Sequence, residues 1–246
     1  MGRVSNRFLN EMDWQHVTPG DFVMHDGEVH VYRIHIHSNL HWLPAFAATL
    51  TTSETERGNK YHQLKDRQRF VISRGAQRNI LGRYLNQPAH ALQFILGDNK
   101  KPYLPAQSGV NLQYNITHAG EWILLAVSHT PVGVDVEYID TVFPFADILP
   151  EHFSQEEVGF INSENQHDRF FTLWTRKEAL LKATGQGLGE HLKSTPSLDG
   201  AHELPGILLG AEKDWEINSF NLIDDYKASI AAGNEIYQLR FFDVSF

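Results

Sequence analysis

The sequence predicts an α+β fold, and two observations carry that expectation. Strand-like runs come in clusters with helical stretches between them. No regular strand–helix–strand alternation develops, as a doubly wound sheet would require. The 246 residues suffice for one large domain or two small ones, either able to bury a proper core.

The elements follow in order. Residues 28–37, EVHVYRIHIH, alternate well enough for a strand. His35 and His37 share a face, and His25, His30 and His41 lie close in sequence, but no carboxylate or further ligand at a fitting spacing supports a metal site. A strand with a polar face is expected there. From Thr52 to Leu85 the chain is helical and basic, with Ser53 as N-cap and Gly58 as an interruption that divides it into one helix or two. Phe70, Ile72, Ile80, Leu81 and Leu85 supply its apolar positions, while Arg67, Arg69, Arg74 and Arg78 supply charge. From the charges alone this is a solvated face, although such a gathering could also hold an anion. Turn signals fill 98–109, flanked by Gly97 and Gly109. Strands are expected at 112–116, 121–129 and 132–139, the last two joined as a hairpin through the turn 130–133. Residues 171–182, FTLWTRKEALLK, are mostly strong helix formers. The tail alternates strand-like runs (DWEINSFNLI, KASIAAG, IYQLRFFDV) with turns.

Composition removes several function classes. Lys+Arg 21 against Asp+Glu 30 gives 21 − 30 = −9, a balance that argues against bulk nucleic-acid or anionic-membrane binding. The absence of cysteine excludes thiol catalysis, disulfides and Cys-ligated zinc. The stretch MGRVSNRFLNEMDW lacks the apolar core of a signal peptide, and Asn6 breaks the myristoylation pattern. No apolar run reaches the roughly 20 residues of a membrane span. A cytoplasmic protein is expected.

In Gly133-Val134-Asp135-Val136-Glu137 the two carboxylates point to one face of a strand and the valines to the other. Adjacent carboxylates repel each other unless a cation or solvent lies between them. The pair suits a hard divalent cation, Mg²⁺ or Mn²⁺, held by oxygen alone; a wet hairpin end would look the same. On the helix, Trp174, Glu178 and Lys182 fall four apart and share one side. That row reads either as an exposed Glu–Lys pair beside a core Trp or as the third carboxylate and a cation of a phosphate site.

The strand and the helix together resemble the 4′-phosphopantetheinyl transferase superfamily, in its full-length surfactin-synthetase-activator type. The family pattern G-[IV]-D-[IV]-E, followed by W-x-x-K-E-[AS]-x-x-K-x-x-G-x-G-L, is met in full by Gly133 to Glu137 and by Trp174 to Leu188. Lys101-Pro102-Tyr103 resembles its G-K-P-Y, with Lys100 in place of the glycine. Residues 115–122, NITHAGEW, resemble its N-[IL]-S-H-[ST]-G-x-W, with Thr117 for Ser and Ala119 for the second hydroxyl residue. Residues 69–85 resemble its basic first-half helix, and the matches run from about residue 55 to 190.

The resemblance implies two similar α/β subdomains in pseudo-two-fold arrangement, here 1–130 and 131–246, with the cofactor cleft between them. It implies transfer of 4′-phosphopantetheine from coenzyme A to a serine of an apo acyl or peptidyl carrier protein, releasing adenosine 3′,5′-bisphosphate. Asp135, Glu137 and Glu178 would hold Mg²⁺, Glu178 would double as general base, and Lys182 would contact the transferred phosphate. Arg57, Arg74, Lys101, Thr117 and His118, with Asp135 and Lys182, would bind coenzyme A. His118 would sit just past a strand end, Trp174 would pack in the core, and the enzyme would be a monomer. Gly185, Gly187 and Gly189 follow a helix, so they read as a helix stop rather than a phosphate loop. Residues 43–46 and the apolar residues after Phe143 are either carrier-docking surface or ordinary core. Two other readings stay open: another Mg²⁺-dependent phosphoryl-transfer or hydrolytic enzyme on the same carboxylates, and a non-catalytic coenzyme A-binding protein.

Overall fold

The computed structural model describes residues 2–97, 99, 101–105, 111–187 and 191–246. Lys100, Gly109, Leu188 and Gly189, drawn on above, lie outside the described residues. Along the chain run β1 (Arg3–Phe8), β2 (Trp14–His16), β3 (Glu28–His35), α1 (Leu43–Ala47), α2 (Thr52–Asn59) and α3 (Leu64–Tyr84). Then come β4 (Ile95–Leu96), β5 (Pro102–Tyr103), β6 (Gln113–Ala119), β7 (Trp122–Ser128), β8 (Val132–Tyr138), α4 (Leu149–His152), α5 (Gln155–Ser163) and α6 (Gln166–Thr184). Strands β9 (Gly200–Glu203), β10 (Trp215–Ile223), β11 (Tyr226–Gly233) and β12 (Gln238–Val244) complete it.

The strands form two five-stranded sheets, and the α+β expectation holds. One is ordered β2-β12-β3-β7-β6, the other β8-β11-β10-β1-β9. Alternation along the central strands divides their side chains between two apolar layers. On β3, Tyr32 and Ile34 pack with Ile72, Ile80 and Leu81 of α3, while Val29 and Val31 face the other sheet. On β8, Val132, Val134 and Val136 share that inter-sheet layer with Ala228 and Ile230 of β11. Helix α6 covers the outer face of the second sheet through Ala179, Leu180 and Ala183 against Ile217 and Ala231. Each sheet therefore carries one long helix outside and a shared core inside.

The two sheets meet edge to edge at β6 and β8, each the last strand of its own sheet. Asn115 Oδ1 accepts from the Val134 N–H at 2.9 Å and spans that seam. The ends of the chain cross it in the other sense. Strand β1 lies in the sheet of the C-terminal half and β12 in the sheet of the N-terminal half. A boundary at 130/131 thus divides the chain without dividing the sheets.

Several sequence expectations need correction. The hairpin of 121–129 with 132–139 does not form: β7 is flanked by β3 and β6, so both its edges are filled and β8 pairs with β11. Strand β3 has no wet face, because layers pack on both sides of it. His30 is fully buried between the Tyr84 hydroxyl (2.5 Å) and Glu28 Oε2 (3.1 Å). The N-cap of α2 is Thr51, not Ser53, in a capping box with Glu54. Gly58 lies inside α2, and the break follows Asn59. The basic residues of α3 are not all solvated: Arg67 is exposed, but Arg78 is buried on Glu54 (2.7 Å) and on the carbonyls of Ala89 and Leu92. Phe46 lies in the core beneath α3, and after Phe143 the residues Phe145 and Leu149 are buried in a core cluster with Phe170.

Candidate active site

Helix α6 has its strong helix formers gathered from Arg176 to Ala183, and it stops where Gly185 adopts φ 74°, a left-handed conformation that costs glycine little. It can lie directly on β8 because Gly133 has no side chain. A Cβ there would stand 2.0 Å from the Ala179 carbonyl oxygen and 2.4 Å from the Ala183 nitrogen. This contact delivers Glu178 to the face of β8 that carries Asp135 and Glu137. One carboxylate oxygen from each of the three lies within 4.8 Å of the others.

Lys182 occupies the middle of the group. Its ammonium pairs with Asp135 Oδ1 and, at 3.1 Å, with Glu178 Oε2. Thr117 reaches across the seam from β6 and donates to Asp135 Oδ1 at 3.1 Å. Burial pushes the Asp135 carboxyl well above the usual carboxylate range, Lys182 pulls it back, and Glu178 and Glu137 push it up again. Glu137 rises to about 7, through burial first and then the charge of Glu178. Burial also works against the charge on Lys182, but Asp135 and Glu178 outweigh it and raise its ammonium above the ordinary value. Asp135 Oδ2 is buried and has no hydrogen-bond partner. Three carboxylates this close, one with a buried oxygen that has no hydrogen-bond partner, form an oxygen-only donor set of the kind that a hard divalent cation takes.

Beside Thr117 opens a cavity of about 280 Å³ whose walls include Arg57, Arg69, Phe70, Arg74, Thr117 and His118. Four of the residues that the resemblance assigns to coenzyme A therefore meet in one place: Arg57, Arg74, Thr117 and His118. Phe70 carries both the Arg57 and the Arg74 guanidinium on its ring, at 5.7 and 5.8 Å, and Gln77 Oε1 accepts from Arg74 at 2.8 Å. Two placements differ from expectation. His118 lies within β6, opposite Ile123, because the strand continues to Ala119. Lys101 is absent from this cavity. Its ammonium, which burial draws down to about 8, donates to the carbonyls of Lys182 (2.6 Å), Ala183 (3.0 Å) and Val132 (3.4 Å).

Sequence reasoning missed the residues that hold the site up. Trp174 packs on Phe170 as expected (5.7 Å), but Thr175, Arg176 and Lys177 are more deeply buried. Thr175 shares a hydrogen bond with Ser229 (2.8 Å), and Arg176 donates to Ser219 Oγ (2.8 Å) and the Ser197 carbonyl (2.7 Å). Lys177 pairs with Glu157 (2.9 Å) and donates to the Leu192 and Thr195 carbonyls. Asn115, the seam residue, opens the NITH motif and could have been singled out there.

Comparison with known proteins agrees with this arrangement. The family model of the 4′-phosphopantetheinyl transferase superfamily matches residues 131–231, and the model of the 4′-phosphopantetheinyl transferase N-terminal region matches 38–130. The 4′-phosphopantetheinyl transferase HetI of Nostoc sp. is 34% identical over 179 residues, covering 70% of this chain and 75% of that protein. A 4′-phosphopantetheinyl transferase of Bacillus subtilis is 27% identical over 195 residues, 76% of this chain and 84% of its own. The L-aminoadipate-semialdehyde dehydrogenase-phosphopantetheinyl transferase of Pongo abelii is 29% identical over 173 residues, 62% and 55% of the two chains. The chain belongs to the 4′-phosphopantetheinyl transferase superfamily, a class of enzymes. No helix among the described residues is long and apolar enough to cross a membrane.

Proposed function

We propose that this chain transfers the 4′-phosphopantetheine of coenzyme A to a serine hydroxyl of an apo acyl or peptidyl carrier protein. One observation carries the reading: three carboxylates and Lys182 converge beside a cavity walled by Arg57, Arg74 and His118. The halves 1–130 and 131–246 act as subdomains with coenzyme A at their seam. Because that seam lies within one chain, a monomer suffices. The enzyme works in the cytoplasm.

The cavity cations bind the 3′-phosphate and pyrophosphate region, which fixes the substrate before reaction. Lys182 and Thr117 meet the phosphate that will move. Glu178 accepts the serine proton as the serine oxygen bonds to phosphorus. The bond from that phosphorus to the bridging oxygen breaks, and adenosine 3′,5′-bisphosphate leaves with the electron pair. Asp135, Glu137 and Glu178 fit Mg²⁺: the donors are oxygen only, and the orphaned Asp135 Oδ2 supplies a ready ligand. Bound there, the ion would supply positive charge for the pyrophosphate as charge builds on the leaving group.

The test is mass spectrometry of apo-carriers from fatty-acid, polyketide and peptide synthesis, incubated with the protein, coenzyme A and Mg²⁺. A carrier gaining the phosphopantetheine mass supports the reading; no gain on any of them overturns it. Arg74→Ala and Arg57→Ala should raise KM for coenzyme A more than they lower kcat, since those contacts exist before and during reaction. Glu178→Gln should bind coenzyme A and fail at transfer. A Glu178→Gln variant that transfers at the wild-type rate removes Glu178 from the chemistry.

A further inference from the structure

We propose that the β4–β5 hairpin serves the reaction by gripping the C-terminal end of α6, with Lys101 and Asn99 as positioning residues for Glu178 and Lys182. The inference rests on the function proposed above.

The last carbonyls of any helix lack partners within it. At the end of α6 the N–H groups of Gly185 and Gln186 both turn back to the Leu181 carbonyl, which satisfies only one acceptor. Four of the next carbonyls are met from the other half of the chain. Lys101 donates to those of Lys182 and Ala183, and Asn99 Nδ2 to those of Gly185 (2.7 Å) and Gln186 (2.9 Å). An ammonium at a helix C-terminus also meets the negative end of the helix dipole.

The hairpin itself is slight, two residues a side and paired to no other strand among the described residues. Its contacts are not slight. Those on the helix end span 81 to 87 positions of sequence, and the third bond of Lys101, on Val132, spans 31 and reaches the first residue of the strand that carries Asp135. Lys101 thus ties together the ends of both elements that bear the carboxylates. Its shortest bond is to the backbone of Lys182, whose own ammonium stands between Asp135 and Glu178. A slip of the last turn would move that ammonium directly. An ammonium has three protons to donate, and here three carbonyls receive them. Lys101 therefore affects phosphate transfer through the helix, not by touching phosphate.

Lys101→Met keeps the stem and removes the donors, and Asn99→Ala removes an exposed amide with no charge involved. Both should lower kcat by about 10- to 100-fold, the cost of misplacing reacting groups by up to 1 Å. KM for coenzyme A should stay within about twofold. The double variant should lose less than the product of the single losses, because both residues act on one helix end. Hydrogen exchange should quicken at the Gly185 and Gln186 amides and stay unchanged in β11. This last measurement needs no catalysis: if the wild-type protein transfers nothing, the proposed function fails while the grip is still judged by exchange. A raised KM for coenzyme A in Lys101→Met, with kcat and exchange intact, would overturn the inference in favour of direct phosphate contact. So would a fall in kcat without faster exchange.

Discussion

Asp135 holds two jobs at once, with one oxygen shared by Lys182 and Thr117 and the other buried without a partner. Asp135→Ala should leave the fold intact, by circular dichroism, and reduce transfer by about 10²–10³-fold, the range seen when one transition-state charge contact is lost. Glu137 predicts a pH effect. Its carboxyl rises from the ordinary 4.5 to about 7, so between those values the folded chain holds more protons than the unfolded one, and stability falls as pH rises. Buried Asp135 acts in the same direction. In chelator, therefore, Tm should decline from about pH 5 to about pH 8, and Glu137→Gln should flatten the decline. Added Mg²⁺ should raise Tm more at the higher pH, where the carboxylates are free to bind it; an equal rise at both would contradict the assignment. Asp135, Glu137, Glu178 and Lys182 are legible in sequence because spacings of two on a strand and four on a helix fix a shared face. Lys101 is not, since nothing local says whether an ammonium will meet a phosphate or a carbonyl. Lys177 is hidden for another reason: its partner Glu157 lies 20 positions away, on a different helix.

At the scale of elements, the site is a contact between α6 and β8, and Gly133 sets its distance. Gly133→Ala would force the Ala179 and Ala183 backbone outward. It should cost roughly 1–3 kcal/mol, the range for overpacking, and lower kcat more than it changes coenzyme A binding. A titration of coenzyme A beside turnover measurements decides this. Glu157→Ala would leave the Lys177 ammonium buried beside two carbonyls with its countercharge gone. Breaking such a pair costs about 3–5 kcal/mol, so Tm should fall by roughly 10 °C. The expected β7–β8 hairpin is lost to competition between strands. The chain bends at 129–130, with Val132 and Gly133 already in β8, but a bend does not report which strand wins an edge, and β3 and β6 had filled both edges of β7. The tail strands β10 to β12 are legible because those segments carry clear alternation and stops, whereas of α6 the sequence marks 171–182 and misses the first turn from Gln166.

For the molecule as a whole, β1 sits between β10 and β9, and β12 between β2 and β3, each far from its neighbours in sequence. Residues 1–130 and 131–246 made separately should each remain unfolded or aggregate, since each lacks a strand that its sheet needs. Made together they should assemble, which gel filtration and circular dichroism will show. Two stable, separate halves would contradict the exchange of strands. This exchange is the least legible part of the fold, because alternation identifies a strand and says nothing of which sheet it joins. It also sets a clock on synthesis. A nascent chain that has left the ribosome through β8 contains β3, β6 and β7, but β3 keeps one unpaired edge and β2 has no neighbour until residues 238–244 emerge. Such an edge is a template for pairing with other chains. Early termination a few codons short of β12 would therefore do its harm in the half translated first.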